Sequence, residues 1–126
     1  MDPCLCGSGK SAESCCRPCH EGKTTAATAE ALMRSRYVAY ALGLEPYLLT
    51  TWHATTRPAS LALDKEPKLR CLGLSIKRHE LNGDDRAIVE FIARYKIDGR
   101  AYRLHENSRF VREDGCWFYV DGDIKE

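Results

Sequence analysis

Four of the seven cysteines in this 126-residue chain fall within one short stretch, CLCGSGKSAESCC, at positions 4 to 16. Thiols packed this densely can form disulfides, act as a redox pair or cage a metal ion. Cys4 and Cys6 flank a single residue, Cys15 and Cys16 are adjacent, and eight residues separate the two pairs. Neither pair suits an internal disulfide, because a vicinal bridge closes a strained ring and the first spacing is not the C-x-x-C of redox sites. The odd count also rules out complete pairing. A tetrahedral metal site instead needs four soft ligands at about 2.3 Å, on a chain that turns sharply. Gly7, Ser8 and Gly9 supply that turn, and backbone N–H groups in it can point at thiolate sulfur. The residues therefore point to Cys4, Cys6, Cys15 and Cys16 as ligands of one zinc ion, with iron the alternative at a sulfur-only site.

Composition sets the rest of the frame. A chain that is 44% hydrophobic and 29% charged is ordinary for a globular domain, and its length allows one core plus a small appendage. No basic segment followed by an apolar stretch opens the sequence, and no window approaches the ~20 apolar residues that cross a bilayer. The expected location is the cytoplasm, whose reducing conditions favour thiols as ligands over disulfides. A formal net charge of +1 gives no case for nucleic acid, except as part of a ribosome, or for an acidic membrane surface.

The elements that must carry any site follow from periodicity. A polar run, HEGKTTAATAE, leads into a helix with Thr28 as N-cap and Glu30 in its first turn; Met33, Tyr37, Ala41 and Leu44 recur near helical spacing, and Gly43 ends it. Glu45-Pro46 starts a second helix with Tyr47, Leu48, Leu49 and Trp52 on its apolar face, ending near His53. Residues 54–67 read as irregular, with a short helical piece around Leu61. From Lys68 the period becomes two. Leu72, Leu74 and Ile76 alternate up to the hairpin signal Asn82-Gly83. The second strand aligns Ala87, Val89, Phe91, Ala93 and Tyr95, and Asp98-Gly99 turns into a third with Tyr102, Leu104, Glu106, Ser108 and Phe110 on one face. Asp114-Gly115 leads to a last strand with Trp117, Tyr119 and Asp121 on one side, and Phe118 and Val120 on the other. Helices followed by an antiparallel meander predict an α+β domain with helices on one sheet face.

The pattern C-x-C-x8-C-C, with GSGK after the second cysteine, resembles the SEC-C zinc knuckle. Two positions depart from it: Leu5 replaces the usual Pro, and SAES replaces a Lys-rich interval, leaving Lys10 as the only cation there. Cys19 and His20 lie just beyond, and the resemblance leaves them out of the ligand set. ALMRSRYVAYALG, YLLTTWH, LGLSI and ENSRF followed by DGCWFYVDG are similar to the YchJ-like bacterial family, which joins SEC-C motifs to a nuclear-transport-factor-2-like domain. The resemblance implies a zinc knuckle over 1–23 and, over 24–126, a curved four-stranded sheet closed by helices into a cone with a pocket inside. Many members carry a second, C-terminal SEC-C motif; the final DGDIKE contains no cysteine.

Within the cone, Glu106 and Ser108 place a carboxylate and a hydroxyl on an otherwise apolar face. Such breaks in patterning mark functional sites or buried charges with a structural partner. Arg34 and Arg36 are the candidate partners, and Tyr37, Trp52, His53 and Asp121 complete the predicted pocket for a small polar ligand. An Arg–Glu pair can equally serve only to orient a helix on a sheet. Cys71 and Cys116 read as small apolar residues of the sheet. Three functional classes follow. One is an interaction module whose knuckle binds a protein or ribosome-associated partner, while the cone holds a ligand or forms a dimer surface. The others are a small enzyme using Glu106, His53 or Asp121 as acid or base, and a thiol redox or metal-handling protein.

Overall fold

The computed structural model describes residues 4–11, 15–61 and 70–125. Three helices, α1 (Arg17–His20), α2 (Ala29–Leu42) and α3 (Glu45–Thr50), precede four strands, β1 (Arg70–Leu81), β2 (Arg86–Ile97), β3 (Arg100–Glu113) and β4 (Cys116–Ile124). The strands form one antiparallel sheet in the order β1-β2-β3-β4. α2 crosses one face of it, touching β1, β2 and β4. This is the α+β arrangement that the change of period predicts.

Local chemistry explains the boundaries. Thr28 Oγ1 accepts the Ala31 N–H at 3.0 Å, and Gly43 ends α2 in the left-handed conformation (φ 71°). Asp98-Gly99 and Asp114-Gly115 both hold positive φ at two successive residues, the two-residue turn whose twist matches the flanking strands. Asn82-Gly83 instead lies in a four-residue loop closed by Asn82 N–H to the Arg86 carbonyl. α3 is shorter than expected: it stops at Thr50, and Trp52 forms a parallel bridge to Tyr119 of β4. Residues 54–61 are turns and coil without the helical piece expected near Leu61; positions 62–69, including the predicted strand start at Lys68, lie outside the described residues.

Strand alternation holds through β2 and β3 and fails at three register shifts. Leu72 is an extra residue between the pairs Cys71↔Tyr95 and Gly73↔Arg94, so it is 51% exposed while Leu74 and Ile76 still reach the core. A second shift falls at Lys77. In β4, Phe110 pairs with Tyr119 and Arg109 with Asp121, which makes Val120 the extra residue and reverses the parity beyond it. Asp121 therefore turns outward to Arg109, away from the face of Trp117 and Tyr119 that sequence alternation assigns it.

Tyr37 pins the first irregularity. Its hydroxyl reaches the carbonyls of Arg94 (2.8 Å) and Gly73 (3.0 Å) and accepts the Gly73 N–H (3.1 Å), and burial pushes its pKa to about 12. The reversed parity of β4 brings Gly122 opposite Ser108 on the inner face. There a Cβ would lie 2.7 Å from Glu106 Cδ and overlap Oε1, so the missing side chain makes room for the carboxylate.

Two outcomes follow. Tyr37→Phe should lower stability by about 1–3 kcal/mol in chemical denaturation, because it strips partners from buried backbone groups. Gly122→Ala should cost a similar ~1–3 kcal/mol through overlap with Glu106, outweighing the gain of less than about 1 kcal/mol from a stiffer unfolded chain.

Candidate functional site

The cysteine cluster is built by two tight segments brought onto α2. Gly7 and Gly9 take positive φ, and the loop closes through Cys4 N–H to the Lys10 carbonyl (2.8 Å) and Gly7 N–H to the Cys4 carbonyl (3.1 Å). Cys15 and Cys16 lead directly into α1, whose first turn contains Pro18. The Sγ atoms of Cys4, Cys6, Cys15 and Cys16 all lie within 4.8 Å of one another. Cys6–Cys15 and Cys15–Cys16 sulfurs are 3.6 and 3.8 Å apart. Four thiolates at ~2.3 Å from a central ion sit about 3.8 Å apart, so the donor set fits a tetrahedral metal. All seven cysteines are free thiols.

The surroundings favour the thiolate at Cys6, whereas burial pushes the Cys4 thiol up. Hydrogen bonding from the Cys16 thiol holds Cys6 down at about 4, and the same contact pushes Cys16 well above the ordinary thiol range. Ser8 Oγ lies 3.2 Å from Cys15 Sγ, and the Ser8 backbone N–H donates to the Cys6 sulfur. Cys19 stands outside the cluster, its thiol pushed up by burial. His20 is engaged elsewhere: Nε2 donates to the Ser35 carbonyl at 2.8 Å, and its ring meets Tyr47 edge-on.

Arg34 belongs to this cluster rather than to the cone. Its Nη1 donates to the Cys6 carbonyl (2.9 Å) and its Nε to Glu30 (3.1 Å), far from the Glu106 partnership that the sequence suggests. Cys4, Cys6 and Cys16 pack with Leu32, Met33 and Tyr37 in one continuous core. The cysteine segment thus docks on the cone instead of hanging from it.

The cone encloses a second candidate site, a cavity of about 310 Å³ between α2 and the sheet. Arg36, Tyr37, Trp52, Glu106 and Ser108 of the predicted set line it. Arg36 is 2% exposed: its Nη1 donates to the Leu48 carbonyl (2.7 Å) and Thr51 Oγ1 (2.8 Å), and its guanidinium lies over the rings of Trp52 (5.0 Å) and Tyr119 (4.7 Å). Burial lowers its pKa. Glu106, 8% exposed, accepts at Oε1 from Ser108 Oγ (3.0 Å) and the Tyr119 hydroxyl (3.1 Å). Burial and the Glu106 charge together push the Tyr119 phenol up.

His53 and Asp121 lie outside this cavity. His53 sits after the Trp52 bridge, with Nε2 on Glu113 (2.9 Å) and Nδ1 on Thr55 Oγ1 (2.7 Å), because the chain there follows β4 instead of ending a helix. Asp121 pairs with Arg109 on the outer face, as the shift in β4 requires. Sequence reasoning missed Tyr40, which lines the cavity close to Arg36. Its position four residues after Arg36 on one helix was the available signal.

Comparison with known proteins agrees with this geometry. The family model described as "YchJ, middle NTF2-like domain" matches residues 28–122. A UPF0225 protein of Chromobacterium violaceum is 52% identical over 122 residues, spanning 94% of this chain and 90% of the relative. The solution structure of a SEC-C motif containing protein from Rhodopseudomonas palustris superposes with TM-score 0.85 at 35% identity, covering 100% of both chains. A crystal structure of a SEC-C motif containing protein from Psychrobacter arcticus gives TM-score 0.76 at 25% identity over 98% of this chain and 82% of that one. With an N-terminal SEC-C segment folded onto a nuclear-transport-factor-2-like cone, this chain belongs to the YchJ family.

Proposed function

We propose that this chain is a zinc-binding cytoplasmic accessory module, in which residues 1–23 form a metal-held knuckle and residues 24–126 a ligand-binding cone. The observation that carries the reading is the sulfur spacing in the cluster, with two separations of 3.6 and 3.8 Å and all four sulfurs within 4.8 Å, as a tetrahedral site requires. Zinc would cross-link the two cysteine segments and neutralise buried thiolate. The residues around it hold those segments in place: Ser8 and backbone N–H groups orient sulfur, and Arg34 ties the loop to α2. Leu5 (50% exposed) and Lys10 are both exposed on this loop and offer an apolar and a basic group to a protein or ribosome-associated partner. No helix among the described residues is long and apolar enough to cross a membrane.

The cavity geometry favours binding over acid–base turnover. Glu106 stands there without His53 or Asp121, and its Oε1 is already engaged by two hydroxyls. Arg36 is likewise committed to α3 and to aromatic faces.

Protein purified without added metal should carry one zinc per chain by native mass spectrometry and elemental analysis. Cys6→Ser or Cys15→Ser should release it and disorder roughly the first 20 residues, because small metal modules take their folding energy from the ion. Metal retained in both variants would overturn the ligand assignment. Deleting residues 1–23 should leave a cone that still melts cooperatively, at lower Tm because Leu32, Met33 and Tyr37 lose their cover. Loss of the cooperative transition would show that knuckle and cone are a single folding unit.

A further inference from the structure

We propose that the cone cavity selects a neutral, planar aromatic molecule carrying one N–H or O–H donor, with that donor directed at Glu106 Oε2. The proposal rests on the reading of the cone as a binding domain and names the ligand chemistry.

The charges of the cavity come first. Arg36 and Glu106 bring opposite charges to its wall, and both are more than nine-tenths buried. Arg36 is held on this wall through one of its nitrogens. Its Nη1 donates to the Leu48 carbonyl and Thr51 Oγ1, and the rings of Trp52 and Tyr119 lie against the guanidinium. A carboxylate or phosphate entering the cavity would meet the Glu106 charge. A cation would set a second positive charge beside Arg36. A neutral molecule avoids both costs.

The hydrogen-bonding deficit then gives the ligand its polar group. Glu106 Oε1 is satisfied twice over, whereas Oε2 makes no hydrogen bond with any described residue. Oε2 is thus an acceptor open to a partner, and the group that a ligand brings to it is a donor. The remaining lining is apolar and aromatic, with Tyr40, Phe91, Tyr95 and Leu104 around the space. Ring edges and faces at this density favour a flat aromatic partner. A volume of about 310 Å³ holds one or two fused rings, at the small end of ligand sites.

Four matched probes test this on the full-length, metal-loaded protein: indole, benzothiophene of nearly the same shape without a donor, anionic indole-3-acetate and cationic tryptamine. Each is titrated into ¹⁵N-labelled protein while the amides of Phe91, Ala93 and Leu104 are followed. Indole should bind at least about tenfold more tightly than the other three, as expected for a hydrogen bond to a charged acceptor. Glu106→Gln, if its spectrum stays native, should weaken indole by a similar factor and leave benzothiophene unchanged. Benzothiophene binding as well as indole, or either charged probe binding more tightly, would overturn the ligand class while leaving the cavity a binding site. Failure of all four to move these amides at saturating concentration would overturn the binding reading itself, and this proposal with it.

Discussion

A guanidinium held out of water on α2 dictates how the cone closes. Arg36 cannot be buried unless its charge and its donors are met. The groups that meet them come from separate parts of the chain: the last turn of α3 supplies the Leu48 carbonyl and Thr51, Trp52 covers one approach, and Tyr119 of β4 another. Satisfying Arg36 therefore fixes where α3 ends. It also explains why Trp52 leaves the helix to pair with β4, since a continuing helix would carry the indole away from the cation. Tyr119 then passes the constraint on to Glu106 through its hydroxyl, so the polar wall of the cavity depends on the same buried charge.

Arg34, two residues earlier, links the other way. Two positions along an α-helix are about 200° apart, so the two arginines face opposite sides and cannot share a partner. Arg34 binds the Cys6 carbonyl of the cysteine loop, and His20 binds the Ser35 carbonyl between them. One helix thus carries the candidate metal centre on one side and the cavity on the other. Order in the knuckle and order in the cone reach each other through three consecutive residues of α2.

What could be read from the sequence was what local spacing determines. The thiol cluster, the Thr28 and Gly43 caps and the two Asp-Gly turns depend on residues close together in the chain, and their chemistry is visible there. Strand parity through β2 and β3 was equally readable, which is why Glu106 and Ser108 were placed inside. Asp121 and Leu72 were not, because each lies at or beyond an extra residue whose presence is decided by the partner strand. His53 failed for a related reason: the apolar pattern before it looked helical, but the pairing of Trp52 with a strand some seventy residues away overrode it. The helical geometry that separates Arg34 from Arg36 was available from spacing alone; that Glu106 is met by Ser108 and Tyr119, and by neither arginine directly, was not.

The irregularities of β1 reach beyond the interior. β1 is an edge strand of the sheet, and an edge normally presents an even row of backbone donors and acceptors to any passing strand. Extra residues at Leu72 and Lys77 break that row twice within twelve residues. A strand from another molecule would find no long matching ladder there. The same distortion that turns Leu72 outward thus breaks the template that edge-to-edge strand pairing needs.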